Sequence, residues 1–216
     1  MMPRLFSYTI PIDDGSAPNP FRGMCSLAIC KPGIRRVAKK GDWVAGLGSK
    51  KAPSGDLSER LVYAMLVQEV LPLKKYDDYA AERWPHRMPN TKSPDLTDRL
   101  GDCIYDFSKG SPVQRAGVHG PENMERDLSG ENVLLSWDFY YFGNQAIELP
   151  PELRMIVHQT QGHRSNLNTP YFAKFESWVQ SLKLTSGQHG WPDFIVNWNS
   201  ASPHCLCAGC ECDDPY

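Results

Sequence analysis

Four of the seven cysteines crowd into the last twelve residues, as His204-Cys205-x-Cys207-x-x-Cys210-x-Cys212. The CxxC at 207–210 is a spacing from which two thiolates chelate one zinc ion out of a tight turn. Structural zinc sites ordinarily use two separated ligand pairs, whereas here four cysteines fall within eight residues. Cys205, Cys207, Cys210 and Cys212 are therefore the metal candidates, against the plainer reading of an oxidation-sensitive tail, and no other cofactor is expected. Cys25, Cys30 and Cys103 lie in apolar, strand-like surroundings where a buried free thiol is the ordinary outcome. Cys25 or Cys30 could alternatively act as a nucleophile activated by Lys31 or by the basic segment that follows it. His119 stands in a polar stretch near Gln114 and Asp127. It titrates near neutral pH, and with Asp138 it is the acid–base candidate if the chain is an enzyme. None of these residues sits in a known catalytic signature.

The chain of 216 residues carries a net charge of −2, but the charge is uneven. Between Lys31 and Lys51 seven Lys and Arg residues face the single Asp42. Such a patch can hold phosphates, with Lys31, Arg35, Arg36 and Lys50 as the candidates; the competing reading is a solvated helix face. Aromatic residues Trp43, Tyr63, Tyr105, Trp137, Tyr140 and Tyr141 lie on or beside expected strands. Two that converge in a groove could sandwich a base, though aromatics on strands are usually core. A flipped base also needs polar groups at its edge, which Asp102, Asp138, Ser136, Asn19 or Gln114 could supply. Trp43, Tyr105, Tyr140 and Asp102 are the base-binding candidates. Trp43 comes first, because strand alternation turns it toward the groove if Val44 faces the core.

The elements that must position these groups follow from pattern and punctuation. Leu5–Ile10 reads as a strand, followed by the turn-rich Asp13–Pro20, and Phe21–Cys30 as a second strand. A short basic helix from Pro32 is stopped by Gly41, and Asp42–Leu47 is a third strand. Leu61–Leu71 reads as one long strand closed by Pro72, then PLKKYDDYAAERW as a helix. Cys103–Phe107 and Val133–Phe142 are further strands, separated by a long polar excursion that contains His119. The last third reads as helical, with Phe172, Phe175, Val179 and Leu182 on one core-facing stripe. No apolar run is long enough for a membrane span, and the N-terminus lacks the pattern of a secretory signal, so a cytoplasmic location is expected.

The stretches NPFRGMCSLAICKPGIRRVAKKGDWVAGLGSK, RLVYAMLVQEVLPLKKYDDY, GDCIYDF and VLLSWDFYYFG together resemble the nucleotide modification associated domain family of the second type, found in bacteria and their phages. The Gly41-Asp42 turn, the long strand and LPLKKYDDY are similar, at the level of fold, to the pseudouridine-synthase-associated (PUA-like) barrel domains. Together the residues and the resemblance imply an α+β fold: a mixed, barrel-like sheet flanked by helices. They divide the chain into one domain over residues 1–200 and a Cys-rich tail over 201–216. The implied function is a nucleotide- or nucleic-acid-binding module that recognises a modified base in a DNA-modification or defence system. The alternatives are an enzyme acting on a modified nucleotide or base, and a structural subunit of a modification complex. Expected partners are a nucleotide or nucleic acid and other proteins of such a system, with no membrane.

Overall fold

The computed structural model describes residues 2–158 and 162–196, and within them the fold is α+β. In chain order the strands are β1 (Leu5–Ile10), β2 (Cys25–Leu27), β3 (Trp43–Gly48), β4 (Arg60–Leu66), β5 (Glu69–Pro72), β6 (Tyr105–Asp106), β7 (Val113–Gln114), β8 (Asn132–Ser136), β9 (Phe139–Tyr141), β10 (Ile147–Glu148) and β11 (Gly187–Gln188). The α-helices are α1 (Pro32–Val37), α2 (Leu73–Arg83), α3 (Leu96–Arg99), α4 (Met124–Leu128), α5 (Phe172–Ser181) and α6 (Asp193–Val196).

A larger sheet runs β1-β3-β4-β9-β11, with β10 pairing the start of β4. β1 and β3 are parallel; β4 is antiparallel to both β3 and β9. A smaller antiparallel sheet runs β2-β8-β5, and β6 pairs β7 apart from both. The sheets do not close into a barrel among the described residues, so the barrel-like expectation gives way to stacked layers. Strand alternation builds those layers. Phe6, Tyr8, Val44 and Met65 of the larger sheet meet Cys25, Leu27 and Leu134 of the smaller one in the central core. On the outer face, Trp43, Ala45, Leu61 and Ala64 pack under Phe175 and Val179 of α5. Beyond the smaller sheet, Val133, Leu135 and Leu71 pack against Leu73, Tyr76 and Ala80 of α2.

Two expectations change here. Leu61–Leu71 is not one strand, because β4 lies in the larger sheet and β5 in the smaller. Val133–Phe142 divides the same way into β8 and β9. Both runs are apolar on each face because each sheet is buried on each face, so hydrophobicity alone does not mark the break. The second expected strand also shortens to β2. After it the chain turns sharply, and Cys30 and Lys31 both take left-handed backbone angles, φ 57° and 41°, before α1 begins.

Candidate active site

The turn after β2 carries Cys30, and three other segments converge on it. His119 arrives on the loop after β7, held by Gln114, whose Nε2 donates to the His119 carbonyl at 2.6 Å. Asp127 lies on α4, and Tyr105 on β6. The His119 Nε2 is 3.3 Å from the Cys30 Sγ, and its Nδ1 is 2.5 Å from Asp127 Oδ2. The same carboxylate accepts from the Tyr105 hydroxyl at 2.9 Å and, through Oδ1, from the Cys30 backbone N–H at 2.9 Å. A thiol, an imidazole and a carboxylate thus stand in a single hydrogen-bonded line. That is the arrangement which activates a thiol in nucleophilic catalysis.

Arg35 fixes the frame around this line. It is wholly buried, and its guanidinium donates to the carbonyls of Cys30 (2.7 Å), Asn132 (2.9 Å) and Asp127 (2.5 Å). Gly130 makes room for it, since a Cβ there would lie 2.4 Å from the Arg35 Cζ. Cys30 and Lys31 form the one adjacent pair of non-glycine residues at positive φ among the described residues. Each such residue costs about 1–2 kcal/mol, so the turn is held open by the contacts around it. A strained strand-to-helix turn is also where the nucleophile elbow of α/β-hydrolases, on a different fold, carries its reactive side chain.

The electrostatics favour a charged pair. Burial alone would lower the His119 pKa, but the Asp127 hydrogen bond and the Cys30 sulfur outweigh it and push the value up to about 11. Burial works against the Asp127 carboxylate as well, yet His119 and Arg35 hold it below the usual carboxylate range. Burial, with Asp127 alongside, raises the Tyr105 phenol, which therefore stays a donor. The Lys31 ammonium sits 4.7 Å over the Tyr8 ring, beside the same turn. Cys30 itself is only partly covered.

The profile described as nucleotide modification associated domain 2 matches residues 2–201 of the chain. The chain belongs to that family. No curated protein and no solved structure matches it. Within this nucleotide modification associated domain the residues singled out from sequence are scattered. His119 is in the site, but Asp138 is not. Asp138 follows the Ser136 end of β8, whereas Arg35 binds the Asn132 end, on the order of 13 Å away along the strand. Asp127, noted only as a neighbour of His119, takes the place expected of Asp138.

Arg35 is corrected from a phosphate ligand to a buried brace, because all three of its bonds go to backbone carbonyls. Arg36 is exposed and Lys31 partly exposed near the site, while Lys50 lies on the β3–β4 loop. Trp43 is a core residue, 3% exposed and edge-on to Phe175 at 5.8 Å. Alternation does turn it away from Val44, but the sheet has helix α5 on that side rather than a groove. Asp102 is buried under bonds from Ser26 and Tyr76, at 2.5 and 2.7 Å. Tyr105 supports Asp127 from the interior, and Tyr140 stacks on His189 at 6.3 Å. The four base-binding candidates therefore do not share one groove. Cys205, Cys207, Cys210 and Cys212 lie outside the described residues. Among the described residues no group of three or more His, Cys, Asp or Glu side chains is placed to hold a metal ion.

Proposed function

We propose that this domain is a thiol-dependent enzyme acting on a nucleotide or nucleobase, with Cys30 as nucleophile, His119 as acid–base and Asp127 as orienting carboxylate. The observation that carries the reading is the continuous Cys30–His119–Asp127 line at 3.3 and 2.5 Å on a strained turn. The family's description supports a nucleotide-related substrate.

In this scheme the Cys30 sulfur bonds to an electrophilic carbonyl or amidine carbon carried by the substrate, and the π pair moves onto the oxygen or nitrogen. His119 then gives the thiol's proton to the leaving group as the carbon–heteroatom bond breaks. Water, deprotonated by His119, attacks the thioester-like intermediate and returns Cys30 as the thiol. Lys31 and Arg36, the two phosphate candidates left at the surface near the site, would hold the nucleotide's phosphate. Recognition of a modified base, first expected of a pure binding module, becomes the specificity of this enzyme.

Peptide-resolved alkylation by iodoacetamide tests the assignment. At neutral pH Cys30 should react faster than the buried Cys25 and Cys103. Since the thiolate is the species that alkylates and the His119 imidazolium beside the sulfur favours it, His119→Gln should slow alkylation of Cys30 by at least about tenfold. A Cys30 rate unchanged by His119→Gln would sink the reading.

A further inference from the structure

We propose that the groove at the C-terminal end of α1 binds single-stranded nucleic acid, with Trp137 as its stacking platform. This rests on a separate part of the molecule and does not require the thiol chemistry. The groove is shallow and open, about 710 Å3, and is lined by Lys39, Lys40, Gln68, Glu69, Val70 and Trp137. Trp137 is 42% exposed, which is unusual for a residue this large and apolar.

The exposed ring is nevertheless anchored. Trp137 donates its backbone N–H to Gln68 Oε1 at 2.6 Å, and its carbonyl accepts from the Ser186 hydroxyl at 2.7 Å. Behind the indole stands Trp84, at 6.3 Å between centroids, and Trp84 in turn meets Tyr79 edge-on at 6.2 Å. A side chain already held in place loses little entropy when a ligand settles on it.

Two lysines line the same groove as this platform. Lys39 and Lys40 are exposed, and among the described residues lining the groove Glu69 is the only carboxylate. The Lys39 backbone is set by its N–H bond to Asp42 Oδ2 at 2.9 Å. An open aromatic face beside two lysines suits an anionic chain whose bases are unpaired. A duplex keeps its base faces inside the stack, and an acidic peptide offers charge without a ring to cover the indole.

Fluorescence anisotropy with a labelled oligothymidylate of about 12 nucleotides, at low salt and with the full chain, tests the proposal. Trp137→Ala should weaken binding roughly 5- to 100-fold, and Trp137→Phe should keep most of the affinity. Removing both lysines, Lys39→Ala with Lys40→Ala, should reduce the slope of log K against log salt by about 1.4. Cys30→Ser should bind like the wild type, so loss of the thiol reading leaves this one standing. The proposal fails if Trp137→Ala binds as tightly as the wild type. It fails equally if a blunt duplex of the same length, or polyglutamate, binds as tightly as the single strand.

Discussion

Two buried carboxylates, one against Ser26 in the middle of β2 and one against Cys30 in the turn beyond it, are built from nearly the same parts. Asp102 accepts from the Tyr76 hydroxyl and from Ser26, with the buried Arg87 beside it. Asp127 accepts from the Tyr105 hydroxyl and from the Cys30 backbone, with the buried Arg35 beside it. Each arginine also gathers backbone carbonyls: Asn19, Phe21 and Met24 for Arg87, and Cys30, Asn132 and Asp127 for Arg35. The difference is the added histidine. Around Asp102 burial wins and raises the carboxyl pKa despite Arg87. Around Asp127 burial is outweighed by His119 and Arg35, and the pKa falls. One knot therefore ties chain segments together, while the other also brings an imidazole to 3.3 Å from a partly exposed sulfur.

The largest effects should come from the arginines. Arg87→Met and Arg35→Met each strand several buried acceptors, and each should cost about 3–5 kcal/mol in urea unfolding. Only the second should also change Cys30 alkylation in the protein that remains folded. Equal effects of both variants on alkylation would erase the distinction between the knots.

Opposite pH trends should come next. The lowered pKa of Asp127 contributes stability that is present above its unfolded value of 3.8 and is lost as pH falls through the folded value. The raised pKa of Asp102 contributes stability that is present below 3.8 and is lost as pH rises through the folded value. Asp127→Asn should thus cost about 1.5–3 kcal/mol at pH 7, a penalty that shrinks toward acid. The penalty of Asp102→Asn should shrink in the other direction. Parallel trends in urea melts run from about pH 2 to pH 8 would contradict the assignment.

The smallest pair is Tyr105→Phe and Tyr76→Phe, each removing one hydroxyl from a buried carboxylate at a cost of about 1–1.5 kcal/mol. Alkylation of Cys30 should slow a few-fold in Tyr105→Phe and not at all in Tyr76→Phe. A matching slowdown in both would show that the effect is general loosening of the fold.

Much of the framework was legible from residues alone, because strands with buried faces and punctuated helices leave local marks. Leu5–Ile10 and the α5 stripe are where pattern places them. The site was legible only in pieces. Cys30, His119 and Asp127 each stand out by type, but 89 residues separate the first two, and nothing local reports that they meet. Arg35 misleads because it shares a helix with the exposed Arg36; its inward turn depends on the missing side chain of Gly130, a tertiary fact. Trp43 misleads because alternation says which residues share a face and is silent about what covers that face.

The division of two long apolar runs between sheets has a mechanical consequence. The chain crosses from one sheet to the other at Val67–Gln68 and again at Trp137–Asp138, and the two crossings are laced together. Leu66 N–H donates to the Asp138 carbonyl at 3.0 Å, Gln68 N–H to the Leu135 carbonyl at 2.9 Å, and the Gln68 side chain accepts from the N–H groups of Trp137 and Asp138. The layers are stitched by covalent backbone at a seam, so one sheet cannot slide or peel from the other without dragging four strands with it. Load applied to Trp137 passes straight into that seam, and the two sheets must yield together or not at all.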